Sequence, residues 1–162
     1  MRDKADEITW IAVADGEKAL IFTNEDTPDN PFLKIVSKEN LDNPPTREQG
    51  ANRPGRLRDG GAAGAQRSAV AETDWHEFEK EQFEKAFAAA LSKAALRDAF
   101  DHLILFAPPQ SLGRIRRELH KEAEQRLAFA EDKDLTNHSV VDIERHVKRA
   151  YASHRRPELP PV

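Results

Sequence analysis

Apolar residues run almost unbroken through ITWIAVA, Ile8 to Ala14, and again through KALIFT, Lys18 to Thr23. Short runs of this kind, rich in β-branched and aromatic residues and bounded by polar ones, read as strands. Between them stands Asp15-Gly16-Glu17, and Asp-Gly between two apolar runs is a strong hairpin signal. The polar turn Asn24 to Pro31 follows, and then FLKIVS, Phe32 to Ser37, is expected as a third strand.

The pattern changes from Asn40 to Thr73. This segment holds Gly50, Gly55, Gly60, Gly61 and Gly64, five of the seven glycines in the chain, together with Pro44, Pro45 and Pro54. It also carries Arg47, Arg53, Arg56, Arg58 and Arg67. It lacks apolar periodicity until its end, and connections this long are usually functional or disordered.

Helical spacing begins at Asp74. Asp74 followed by Glu77 suits a capping-box-like start. Trp75, Phe78, Phe83, Phe87, Ala90, Leu91 and Ala94 fall close to one stripe, which predicts a helix to about Arg97 with those residues in the core. Glu79, Lys80, Glu84 and Lys85 make up its charged, solvated face. DHLILFA, Asp101 to Ala107, is an apolar run stopped by Pro108-Pro109 and reads as a buried central strand. Ser111 is expected to cap a second helix that turns Leu112, Ile115 and Leu119 inward and Arg114, Arg116 and Arg117 mostly outward. QRLAFAE, Gln125 to Glu131, reads as a strand. A last helix is expected over about Ser139 to Ala152, with Val140, Ile143, Val147 and Tyr151 buried. Strands alternating with helices in the second half imply parallel pairing within a mixed sheet. The expected fold is therefore α/β, a mixed β-sheet with helices packed on it. It forms one domain over residues 1–154, with a long Gly/Arg-rich loop at 40–73 and a proline-rich tail at 155–162.

Composition narrows the function classes. The 162 residues suit one domain, and a 38% hydrophobic content with a mean hydropathy of -0.74 points to a modest core. There is no cysteine, so disulfides and thiolate metal sites are excluded. The stretch MRDKADEI lacks the apolar stretch of a signal peptide, and no run approaches the about 20 apolar residues of a membrane span. The expectation is a cytoplasmic protein with no membrane partner. A net charge of -4 argues against broad binding to nucleic acid but leaves room for a local basic patch.

No self-contained catalytic constellation stands out. The histidines, His76, His102, His120, His138, His146 and His154, lack HExxH spacing. Asp132, Asp134 and Asp142 match no calcium loop, and turn or cap roles suit them better. No Walker loop, nucleophile elbow or dinucleotide fingerprint occurs, so neither cofactor nor metal is expected. Two basic clusters remain, one at Arg114, Arg116, Arg117, His120 and Lys121, the other at Arg145, Lys148, Arg149, His154, Arg155 and Arg156. Each is open to two readings, a solvated helix face or a phosphate contact. If both share a face with the loop, nucleic acid becomes the better reading.

Three stretches together resemble the bacterial host-attachment protein family: WIAVADGEKALIFTN, LILFAPPQSLGRIRREL and EDKDLTNHSVVDIERHV. The likeness spans about Ile8 to Tyr151, and the strand-Ala-Pro-Pro-x-Ser-Leu-Gly-helix junction and Asp-Lys-Asp-Leu-Thr are its most specific parts. That family is similar to the middle domain of archaeo-eukaryotic peptide release factors, in which a Gly-rich loop carries a Gly-Gly-Gln motif into the ribosomal peptidyl transferase centre. The resemblance implies that Gln66 is the residue that would place a hydrolytic water. Gly60, Gly61, Gly64, Ala65, Gln66 and Arg67, with Arg53, Arg56, Arg58, Arg114 and Arg117, would then contact ribosome or structured RNA. Gly64-Ala65-Gln66 departs from the motif at Ala65, whose Cβ restricts the positive φ that glycine tolerates. At 162 residues the chain is not expected to hold the codon-reading and partner-binding domains of a termination factor.

Two functions stay open. One is a binding protein that docks on ribosome or RNA through the loop, with hydrolysis of peptidyl-tRNA on the ribosome as its only enzymatic option. The other is a protein–protein interaction factor that acts indirectly in attachment to host cells.

Overall fold

The computed structural model describes residues 6–41 and 74–154 of the chain. Their elements run β1 (Thr9–Ala14), β2 (Lys18–Asn24), β3 (Leu33–Asn40), α1 (74–96), β4 (His102–Phe106), α2 (Pro109–Glu118), α3 (Lys121–Gln125), β5 (Leu127–Glu131) and α4 (Val140–His154). The strands form one five-stranded sheet in the order β3-β2-β1-β4-β5. β1, β2 and β3 pair antiparallel, as short turns allow, whereas β4 is parallel to both β1 and β5. Parallel neighbours need a crossover, and α2 with α3 supplies it between β4 and β5. The expected mixed α/β sheet is thus the observed one.

The unbroken apolar character of β1 and β4 follows from cover on both faces. On one face Trp10, Ala12, Leu103 and Leu105 meet Phe87, Ala88, Leu91, Ala94 and Ala95 of α1, with Ile115 of α2 beside them. On the other, Ile11, Val13, Ile104, Phe106 and Phe129 meet Ile143, Val147 and Ala150 of α4. Helix α1 closes on Asp98, which takes a left-handed φ of 57°, and the Ala99 N–H donates back to the Ala94 carbonyl at 2.9 Å. That reversal delivers Phe100 into the core, its ring 5.0 Å from Trp10.

The structure corrects several expectations. Trp75 and Phe78 are not core: they are 57% and 49% exposed and stack on each other with ring centroids 5.5 Å apart. Helical periodicity placed them on the right stripe, but length decides their fate. The 23 described residues of α1 reach about 35 Å at 1.5 Å per residue. The six residues of β1 cover only about 20 Å. The first turns of α1 therefore overshoot the sheet. Asp74 is already helical, so it stands within the helix and does not cap it. Ala90 is exposed, while Glu84, read as part of the solvated face, is 1% exposed.

Ser111 does not cap α2. The helix begins two residues earlier, with Pro109 at its first turn and Ser111 buried inside it. Proline's fixed φ suits the first helical position, so Pro108-Pro109 ends the strand and starts the helix at once. The short α3 was missed; His120 caps it by accepting the Glu122 N–H on Nδ1 at 3.0 Å. Val140, at the first residue of α4, is exposed, and Ala150 occupies the buried stripe further along.

Phe87→Ala should destabilise the fold by about 3–5 kcal/mol, as aromatic truncation in a core does. Trp75→Ala and Phe78→Ala should stay within about 0.5 kcal/mol of the parent. Urea denaturation of the three variants checks the assignment, and a large loss from Trp75→Ala would contradict it.

Candidate functional site

The three parallel strands β1, β4 and β5 end at the same edge of the sheet, and β1 is where pairing changes from parallel to antiparallel. In open α/β sheets, ligands gather outside the carboxyl ends of strands at such a change. The β1–β2 turn lies there. Asp15 closes it by accepting the Glu17 N–H at 2.9 Å and the Lys18 N–H at 2.7 Å on one carboxylate oxygen. Its other oxygen accepts from the Thr136 hydroxyl at 2.7 Å. Thr136 Oγ1 also lies 2.9 Å from Asp134 Oδ1, so its one proton is shared between two carboxylates. Lys18 Nζ donates to Asn137 Oδ1 at 2.8 Å. The Asp-Lys-Asp-Leu-Thr stretch thus docks on the hairpin turn, with Leu135 buried beneath it. Asp134 takes the turn role expected of it, accepting the Thr136 N–H at 3.3 Å. Ser139 Oγ accepts the Asp142 N–H at 3.2 Å at the start of α4.

Gly16 completes the turn with φ +93°, a conformation that side chains resist. A Cβ there would lie 3.1 Å from Glu84 Oε2 and 3.5 Å from Ser111 Oγ. Glycine therefore lets the turn sit directly on a buried carboxylate. Glu84 Oε1 accepts from Arg114 Nη1 at 2.8 Å, while Glu84 Oε2 is buried without a hydrogen-bond partner. Arg114 Nη2 also lies 3.6 Å from Glu77. The hydrogen bond from Arg114 to Glu84 raises the guanidinium's affinity for its proton, against the opposing effect of burial.

The candidate residues read from sequence divide accordingly. Arg53, Arg56, Arg58, Gly60, Gly61, Gly64, Ala65, Gln66 and Arg67 lie outside the described residues. Arg114, expected mostly outward, turns inward: its side chain is 16% exposed and held by Glu84. A cation on a helix surface was the expectation; a buried anion one helix away is what drew it in. Arg117 is exposed and lines a small cleft of about 110 Å³ with Glu81, Lys85, Arg114 and Glu118. The chain leaves the described region at Leu41, whose N–H donates to the Glu17 carbonyl of the turn, and returns on α1, whose Lys80 and Glu84 flank Gly16. The departing end of the Gly/Arg-rich segment is thereby tied to the β1–β2 turn, while α1 returns with its first turns reaching past that turn.

The two basic clusters lie on opposite faces of the sheet, one on α2 and α3, the other on α4. Within the second, Arg145 pairs with Asp142 at 3.2 Å. His154 stacks on Phe129 with centroids 4.2 Å apart and meets Glu131 at 2.9 Å. Arg155 and Arg156 lie outside the described residues. Among the described residues no group of three or more His, Asp or Glu could hold a metal ion. No described helix is long and apolar enough to cross a membrane.

The five-stranded mixed sheet with helices on both faces defines an α/β domain. Within that class, the chain belongs to the bacterial archaeo-eukaryotic release factor family 12, whose family model matches residues 8–147. The crystal structure of an archaeal translation termination factor, aRF1, is similar at a TM-score of 0.47 and 11% identity, over 92% of this chain and 39% of that one. This chain therefore spans well under half of that factor. No curated protein matches the chain. The family match bears on the release-factor side of the resemblance and is silent on attachment to host cells.

One described group ties stability to pH. His146 of α4 meets His138 edge-on at 5.5 Å, and its Nδ1 is buried without a partner. Burial, then the charges of Lys133, Arg149 and His138, hold its pKa below the ordinary 6.5 against the weaker pull of Asp142. A lowered folded value means that the unfolded chain binds the proton first, so this contribution is intact above 6.5 and is lost as pH falls below it. The melting temperature should drop between about pH 7.5 and pH 5.5, and His146→Phe should reduce that drop. Equal pH dependence in both proteins would show that His146 carries none of it.

Proposed function

We propose that this protein is a cytoplasmic binding protein whose release-factor-like domain contacts ribosome or structured RNA through the Gly/Arg-rich segment at 40–73. Membership of the release-factor family over residues 8–147 carries this reading. The anchoring of its departing end at the β1–β2 turn, through the Leu41 N–H and the Glu17 carbonyl, supports it, because a fixed base reduces the entropy lost when a connecting segment engages a partner. Arg53, Arg56 and Arg58 supply guanidinium groups suited to bidentate phosphate contacts. Arg117 adds exposed charge on the helical face, and Arg114 serves the fold. Gln66 has both donor and acceptor capacity suited to placing a water. On this reading any hydrolysis of peptidyl-tRNA needs the ribosome, and the purified chain alone is inactive.

A second reading has its own observation. The exposed Trp75–Phe78 pair stands beside Asp74, Glu77 and Glu81. An aromatic patch ringed by acids suits a protein surface better than a phosphate backbone. A protein–protein interaction factor acting indirectly in bacterial attachment to host cells would use it.

Ribosome co-sedimentation across a salt series separates the two. Association should weaken steeply with salt, since each phosphate contact releases counterions. The triple Arg53→Ala, Arg56→Ala, Arg58→Ala variant should flatten the log–log slope by about 2 if all three arginines meet phosphate. Gln66→Ala should co-sediment like the parent. Absence of co-sedimentation at low salt would overturn the ribosome reading and turn attention to protein partners of Trp75 and Phe78.

A further inference from the structure

An open cleft of about 510 Å³ lies between α2 and the end of β5. One wall is a single stripe of α2, Pro109, Leu112, Gly113 and Arg116, spaced so that they line one side of the helix. The other is Ala130, Glu131 and Asp132. β5 is an edge strand: β4 pairs with one side of it, and among the described residues no strand pairs with the other.

Edge strands are normally blunted by charge or proline. The opposite edge of this sheet, β3, follows that rule with exposed Lys34, Lys38 and Glu39. β5 reads LAFAE: its one charge, Glu131, is held by Lys133 and His154, it carries neither lysine nor proline, and its Ala128 is exposed. The wall beside it departs from helix chemistry in the same direction. Gly113 sits inside α2 with no positive φ, and a Cβ built there meets nothing within 4 Å. Glycine inside a helix is destabilising relative to alanine, and among the described residues nothing packs where its side chain would stand. Its effect is to keep the cleft wall flat. Two charges also face this cleft without ion-pair partners among the described residues, Arg116 on the helix and Asp132 past the strand.

We propose that the α2–β5 cleft binds an extended segment of a partner protein, which adds to the open edge of β5 as a further strand. Main-chain hydrogen bonds to β5 supply affinity, and side chains on one face of the segment lie over Gly113 and Ala130. Because Arg116 and Asp132 offer opposite charges, that face carries an acidic residue toward Arg116 and a basic one toward Asp132. The proposal is independent of the ribosome-contacting segment and uses none of its residues.

The test is an array of blocked octapeptides of alternating apolar and polar residues, with an acidic and a basic side chain two or four residues apart on one face. Binding is read by fluorescence anisotropy and by amide hydrogen exchange in the full chain. A subset of the array should bind and slow exchange across β5. Gly113→Leu, which fills the cleft, and Arg116→Glu should each weaken that binding by about tenfold or more, the change that 1.4 kcal/mol makes. Gly113→Ala should raise the melting temperature by roughly 2–4 °C, because its methyl meets open space in a helix. No binding peptide at millimolar concentration, or binding indifferent to Gly113→Leu and Arg116→Glu, would overturn the proposal. So would a lower melting temperature in Gly113→Ala, which would give the glycine a role in the fold itself. Concentration-dependent self-association abolished by Ala128→Lys would also overturn it, by making a second copy of this chain the occupant.

Discussion

Glu84 sits on the core side of α1 at 1% exposure, where a carboxylate has lost water and must find charge or hydrogen bonds within the protein. Arg114 reaches it from α2 at 2.8 Å. The β1–β2 turn presses on the same carboxylate through Gly16, where no side chain intervenes. One buried ion pair therefore fixes the relation of α1, α2 and the hairpin turn. Pairs of this kind add little net stability over a well-packed apolar substitute, yet losing one partner is costly because it strands the other. Their value is in specifying a single arrangement.

What that arrangement positions is the carboxyl edge of the sheet. Asp15, Thr136 and Asp134 bind the turn to the segment before α4, so elements from both faces of the sheet converge on three residues of turn. The Gly/Arg-rich segment departs beside this knot, where the Leu41 N–H bonds to the Glu17 carbonyl. The β5 edge is the opposite case: its one charge, Glu131, is paired within the chain, and an open cleft flanks it.

Much of this was legible in the residues. The Asp15-Gly16 turn, the buried β4 run and the α4 stripe at Ile143 and Val147 follow from period and turn chemistry alone. The errors share a cause: helical spacing reports which face a residue occupies, not what lies opposite it. Trp75 and Phe78 share the core stripe but extend past the end of the sheet. Glu84 lies in step with Ala88, Leu91 and Ala95, spacing that marked it as inward-facing, but its charge pointed the other way. Arg114 could be placed only once its partner was known to be buried. The cleft was invisible for a related reason, because Gly113 and Asp132 are brought together by a crossover and not by sequence spacing. Gln66 and the arginines around it were legible only through resemblance to a family.

The central claim is that Glu84 and Arg114 act as a coupled buried pair that holds α1 and α2 at the turn. A double-mutant cycle measures this directly, using Glu84→Leu, Arg114→Met and the double variant in urea denaturation. The account predicts that Glu84→Leu and Arg114→Met each lose about 3–5 kcal/mol and that the double variant recovers much of it, a coupling of about 2 kcal/mol or more. Additive losses, with no recovery in the double variant, would contradict it.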